Sequence, residues 1–122
     1  MKSENIKFKG WNTILERMSK PCSINEFPLR TQWHILDLLQ WSGLFDKKGI
    51  EIYEGDICQT WFLGIKSEIV VVVKRHGSFW HKDLKREAYS NLHGTAKPYR
   101  KDNPFKKYYE VIGNIYENKD LL

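Results

Sequence analysis

Short stretches in which apolar side chains alternate with polar ones dominate this chain. Ile6-Lys7-Phe8-Lys9-Gly10-Trp11 has the period of two expected of a half-buried strand. Over residues 12–25 the pattern is mixed: Ile14, Leu15 and Met18 suit one side of a short helical turn, which Pro21 would end. Residues 29–41 fit two templates. Trp33, Leu36 and Leu39 suit a helical face, whereas residues 38–41 fit a strand equally well. After a polar turn at Asp46-Lys47-Lys48-Gly49, Ile50 and Ile52 alternate with Glu51, and Glu54-Gly55-Asp56 breaks the chain again. Two strands are expected at residues 57–63 and 65–75, separated by Gly64. The second contains Ile69-Val70-Val71-Val72-Val73, a β-branched block without alternation, which predicts burial on both faces. His76-Gly77-Ser78 turns the chain into a short strand at Phe79-Trp80-His81. Polarity together with Gly94, Pro98 and Pro104 predicts a long loop over residues 82–107, with one helical turn near 84–89. Residues 108–116 form the last strand, interrupted by a bulge or bend at Gly113-Asn114. The expected fold is mainly β: a small barrel or curled antiparallel sheet with long loops and at most short helices.

Length and composition agree with that picture. The 122 residues, 41% hydrophobic and 29% charged, fit one globular domain over 1–122. The longest aliphatic run, residues 69–73, is far short of the ~20 apolar residues of a membrane-spanning helix. No secretory-type apolar stretch follows Lys2, so an intracellular protein with no membrane role is expected. Cys22 and Cys58 are expected as two reduced thiols.

Two stretches are distinctive together. One is Gln40-Trp41-Ser42-Gly43-Leu44-Phe45-Asp46-Lys47-Lys48-Gly49-Ile50-Glu51-Ile52-Tyr53-Glu54-Gly55-Asp56-Ile57. The other is Val111-Ile112-Gly113-Asn114-Ile115-Tyr116-Glu117-Asn118-Lys119-Asp120-Leu121-Leu122. With the opening strand at Ile6-Lys7-Phe8-Lys9-Gly10-Trp11, they resemble the signature blocks of the YopX family of phage and prophage proteins. Ser42, Phe45 and Lys119 depart from the residues usual there, and residues 12–39 and 82–107 match no family pattern. The resemblance implies a mostly-β fold with a small barrel, a phage or prophage origin and hence the cytoplasm of a bacterial host. It implies no reaction. The signature reads as structure: Gly43, Gly49, Gly55 and Gly113 for turns, and Leu44, Ile52, Tyr53, Ile57, Ile112 and Ile115 for core contacts.

Little in the chain points to catalysis. His76 and His81 are five apart, and His34 and His93 are remote from them, without zinc-ligand spacing, so no metal is expected. Glu51, Glu54 and Asp56 could form a paired-carboxylate site. The simpler expectation is that Asp56 accepts nearby backbone N–H groups while both glutamates face water. Nucleophile, P-loop and dinucleotide motifs are absent, so no enzyme activity, cofactor or small-molecule substrate is expected.

Charge gives the one hint of a partner. Residues 1–61 are neutral, whereas residues 62–122 carry the whole net charge of +5. Ten cations lie between residues 74 and 107, opposed by Asp83, Glu87 and Asp102. Aromatic residues dot the same stretch: Trp80, Tyr89, Tyr99, Phe105, Tyr108 and Tyr109. Lys82, Lys85, Arg86, Arg100 and Lys101, with Trp80 and Tyr99 to stack, are the candidate binding residues for nucleic acid. A host or phage protein with an acidic patch would suit the same face. A homo-oligomeric structural or assembly role is the alternative.

Overall fold

A computed structural model describes residues 7–23, 36–92 and 108–122. Expectations for the other residues, including Tyr99, Arg100, Lys101, His34 and His93, lie outside the described part. The chain divides into two compact units, Met1–Trp41 and Ser42–Leu122.

In the first unit, β1 (Lys7–Asn12) pairs antiparallel with β2 (Arg17–Met18) and β3 (Cys22–Ser23). Its other edge takes β4 (Leu36–Phe45), with Phe8 opposite Gln40 and Gly10 opposite Leu38. The ambiguous segment is therefore a strand from Leu36 onward; residues 29–35 lie outside the described part. The helical turn expected around Ile14 is instead a turn at residues 13–16 between β1 and β2. Asn12 Oδ1 accepts the N–H groups of Ile14 and Leu15, and both side chains stay exposed. The asparagine cap outcompetes a helix that had no face to bury.

The second unit is a five-stranded antiparallel sheet in the order β10-β6-β7-β8-β9. Its strands are β6 (Asp56–Phe62), β7 (Ile65–Arg75), β8 (Ser78–Asp83), β9 (Tyr89–Asn91) and β10 (Tyr108–Asn114). β5 (Glu51–Tyr53) neighbours β4 across the turn at 46–49, and a 3-10 turn spans Lys119–Leu121. The fold is mainly β, with one of its two antiparallel sheets curled into a half-barrel.

Strand register explains the core. Cys58 faces Val70 on one side and Val111 on the other, so the three share a face. They pack with Ile52, Val72 and Tyr109 into the central cluster, against which Phe79 and Leu92 lie. Each fully buried aliphatic side chain there contributes about 1.5–3 kcal/mol. The β-branched block is buried at Val70, Val71 and Val72, but Ile69 is exposed.

Three further expectations need correction. Residues 82 and 83 continue β8, and Tyr89–Asn91 forms an edge strand rather than loop, because β8 supplies its hydrogen-bond partners (His81 opposite Ser90). Ile112 leaves the core: a bulge between Val111 and Gly113 puts Gly113 opposite Ile57, and Ile112 is pushed outward. Gly43 sits within β4 rather than in a turn, at φ +84°.

Candidate functional site

The signature blocks of the sequence converge on structural work. Asp46 is almost fully buried, and its Oδ1 accepts the N–H groups of Lys48 and Ile50 at 2.8 and 2.9 Å. Its Oδ2 accepts the Val111 N–H at 3.0 Å, tying the central block to β10. Ile115 N–H donates to Gly55 O, so this bond and the Asp46–Val111 bond both join the two signature stretches, while Lys47 N–H donates to Tyr109 O just before the second of them. Gly55 has φ +86°, and a Cβ there would lie 3.4 Å from the Tyr116 ring. Gly113 is needed for space: a Cβ would stand 2.6 Å from Asn118 Oδ1. That oxygen accepts the Asn114 N–H, while Asn114 Oδ1 accepts the N–H groups of Tyr116 and Glu117.

The possible carboxylate site dissolves in the same way. Asp56 Oδ2 accepts the Tyr53 N–H at 2.8 Å, as ordinary turn chemistry predicts. Glu51 accepts the Tyr53 hydroxyl at 3.1 Å, so it is half-buried rather than facing open water. His81 is buried, its Nδ1 2.6 Å from the Tyr109 hydroxyl in an edge-to-face pair. Among the described residues, no group of three His, Cys, Asp or Glu side chains converges to hold a metal.

What remains is the face of β7, β8 and β9 turned away from the Cys58 cluster, the outer face, which is covered at Val71 and exposed at Arg75, Tyr89 and Asn91. Val71, Lys82 and Tyr89 pair across the three strands in one row; Val73, Trp80 and Asn91 form the next. Side chains alternate along a strand, so these rows share one face while Val72 and His81 point to the core. At the end of that face the Arg75 guanidinium lies 3.9 Å from the centre of the Tyr89 ring, and Lys82 Nζ lies 5.9 Å from it. The Trp80 indole N–H donates to the Arg75 carbonyl at 3.3 Å, fixing the neighbouring backbone. The result is a cation–aromatic strip with fixed spacing, capable of holding phosphate oxygens beside flat aromatic surface.

The structure sorts the predicted binding residues unequally. Lys82 and Trp80 join this strip, with Arg75 and Tyr89 as its strongest pair. Lys85 lies beyond it, exposed in the turn after β8. Arg86 is engaged elsewhere, 3.4 Å from Glu68 and 3.8 Å from Asp83. Burial opposes ionisation of Asp83, but the N–H groups of Lys85 and Arg86, then Glu68 and the Arg86 charge, hold its carboxyl below the usual value. These residues line a groove of about 480 Å³ with Gln59, Lys66 and Leu84, in which both carboxylates, Glu68 and Asp83, pair with Arg86. Tyr109, counted among the stacking aromatics by position, belongs to the core and is 1% exposed. The Arg75–Tyr89 pair escaped sequence reading because its partners are fourteen residues apart and meet only through strand pairing.

Comparison with known proteins agrees with this architecture. The crystal structure of protein EF1440 from Enterococcus faecalis is similar, at a TM-score of 0.61 over 96% of this chain and 97% of that one. At 21% identity the likeness is one of fold. No curated protein matches. The family model described as YopX protein matches residues 2–122, across both compact units and all three signature stretches. The chain belongs to the YopX family.

Proposed function

We propose that this protein is a non-enzymatic binding module, encoded by a phage or prophage, that takes nucleic acid on the outer face of β7, β8 and β9. The observation that carries the reading is the Arg75 guanidinium seated 3.9 Å from the Tyr89 ring, with Lys82 on the same ring. A cation held by an aromatic face has lost part of its freedom before the partner arrives, which favours binding of phosphate. Net charge supports the same reading, since the excess of cations lies wholly in residues 62–122. A role in binding rather than catalysis is supported by the fate of the carboxylates: Asp46, Asp56 and Asp83 are each held by backbone N–H groups.

Fluorescence anisotropy with labelled single- and double-stranded oligonucleotides at about 50 mM salt tests the proposal. If Arg75, Lys82 and Lys85 each reach a phosphate, log affinity for duplex falls with log salt at a slope near −3, about −0.9 per contact. The double variant Arg75→Glu, Lys82→Glu should abolish binding and keep the fold, since neither side chain belongs to the core cluster. No binding by the native protein at low salt would falsify the nucleic-acid reading. Co-purification of an acidic host or phage protein lost in the same variant would then assign the face to a protein partner.

A further inference from the structure

The hairpin joining β6 to β7 ends in a tip that the sheet does not use. Phe62 is 50% exposed, Leu63 50% and Ile65 70%, three large apolar side chains within four positions. Leu63 and Gly64 both have positive φ, +54° and +76°, the geometry of a two-residue type I′ turn. Asn or Asp suits the first of those positions; leucine is strained there and still leaves half of its surface exposed. Strain combined with exposure marks a residue retained for contact rather than for folding.

The chemistry above the tip is layered. Phe62 pairs with Ile65 on the last rung, and Trp61 pairs with Lys66 on the rung before it. Lys66 Nζ lies 5.6 Å from the Trp61 ring centre, and Lys47 Nζ lies 4.4 Å from it. An apolar end, then an indole, then a collar of ammonium groups repeats the order met on entering an anionic bilayer: acyl chains, interface, headgroups. The turn and two rungs measure about 7 Å at 3.3 Å per residue, within the ~5–10 Å to which interfacial segments sink.

We infer that the β6–β7 tip inserts into the interface of an anionic phospholipid bilayer, with Leu63, Phe62 and Ile65 below the headgroups and Lys47 and Lys66 among them. The size of the tip favours lipid over protein. Three residues offer a small fraction of the ~20–30 that a stable protein interface takes from each side, whereas a fluid bilayer needs no matched pocket. The contact goes beyond the sequence-based expectation that membranes play no part, and it differs from spanning. It is also separate from the cation–aromatic strip, so either could fail without the other.

Vesicle flotation of the full chain tests the inference, with phosphatidylcholine vesicles beside vesicles containing phosphatidylglycerol. The native protein should float with the anionic vesicles and much less with neutral ones. Leu63→Asn with Ile65→Ser should lower the bound fraction by about tenfold or more, because several buried methylenes are lost. Leu63→Asn alone should weaken flotation while leaving the thermal midpoint unchanged or raised, since asparagine accepts the positive φ; a purely structural Leu63 predicts the reverse. Oligonucleotide affinity of both variants should be unaltered. Failure of the native protein to float with anionic vesicles at low salt overturns the inference. So does equal flotation of native and doubly substituted chains, which would assign lipid binding to the basic strip. A concentration-dependent dimer abolished by the tip substitutions, without flotation, also overturns it and makes the tip a contact between copies.

Discussion

Replacing Asp46 by alanine should remove more stability than any other single change outside the apolar core. The carboxylate accepts three backbone N–H groups, from Lys48, Ile50 and Val111, at 2.8, 2.9 and 3.0 Å. A hydrogen bond to a charged group contributes about 1.5–3 kcal/mol, and the three share one acceptor, so they are not additive. Lys48 and Ile50 are exposed, and water can take over their N–H groups once the carboxylate is gone. Val111 packs against the core, and its N–H loses a partner that closes a chain separation of 65 residues. Together these give a loss of about 3–4 kcal/mol for Asp46→Ala, a large part of the ~5–15 kcal/mol that holds a domain. Asp46→Asn keeps the shape but turns an NH₂ toward one of the donors, and should cost about 2 kcal/mol. Urea unfolding followed by tryptophan fluorescence measures both. An unfolding free energy for Asp46→Ala within about 0.5 kcal/mol of the native chain would refute the idea that this residue ties the two signature stretches together.

Other consequences follow from single contacts. Gly55→Val places a β-branched residue at φ +86° beside the Tyr116 ring and should cost about 1–3 kcal/mol in the same urea assay. Burial pushes the Cys58 thiol well up, with Asp56 and Asp46 adding to it. Ellman's reagent should therefore modify the half-buried Cys22 quickly and Cys58 only as fast as the chain opens. The Lys48 ammonium, 3.0 Å from Glu110, is the first cause holding that carboxyl below its ordinary 4.5. A carboxyl depressed in the folded state confers stability above the unfolded value and loses it as pH falls through the folded one. Stability should thus decline below about pH 4.5, and Lys48→Ala should flatten that decline in a series of urea midpoints from pH 3 to 6.

The strands were legible where side chains carry the pattern. β7 matches its expected bounds because β-branched residues crowd a central strand, and β6 and β10 differ from expectation only at their ends. β9 was not legible: Tyr-Ser-Asn has no apolar alternation, and its strand conformation comes from the free edge of β8. The Leu36 strand was ambiguous because Leu36, Leu38 and Leu39 satisfy both periods, and only β1 across from them decides. Sequence could show Asp46 as a turn residue, through Asp-Lys-Lys-Gly, but not its bond to Val111. Likewise the cations were visible as a charge excess, while their sorting was not. Arg86 is withdrawn by Asp83 across the local turn and by Glu68 from β7, and Arg75 is placed on Tyr89 through strand pairing.

The most direct test of the binding face is an amide chemical-shift titration of the labelled protein with a short oligonucleotide. Shifts should concentrate at Arg75, Trp80, Lys82 and Tyr89 and fade as salt is raised, with Cys58, Val70 and Tyr109 in the core nearly still. Shifts that leave those four residues unmoved while others respond, or no shifts at all at low salt, would contradict the assignment of the β7–β9 outer face as the site.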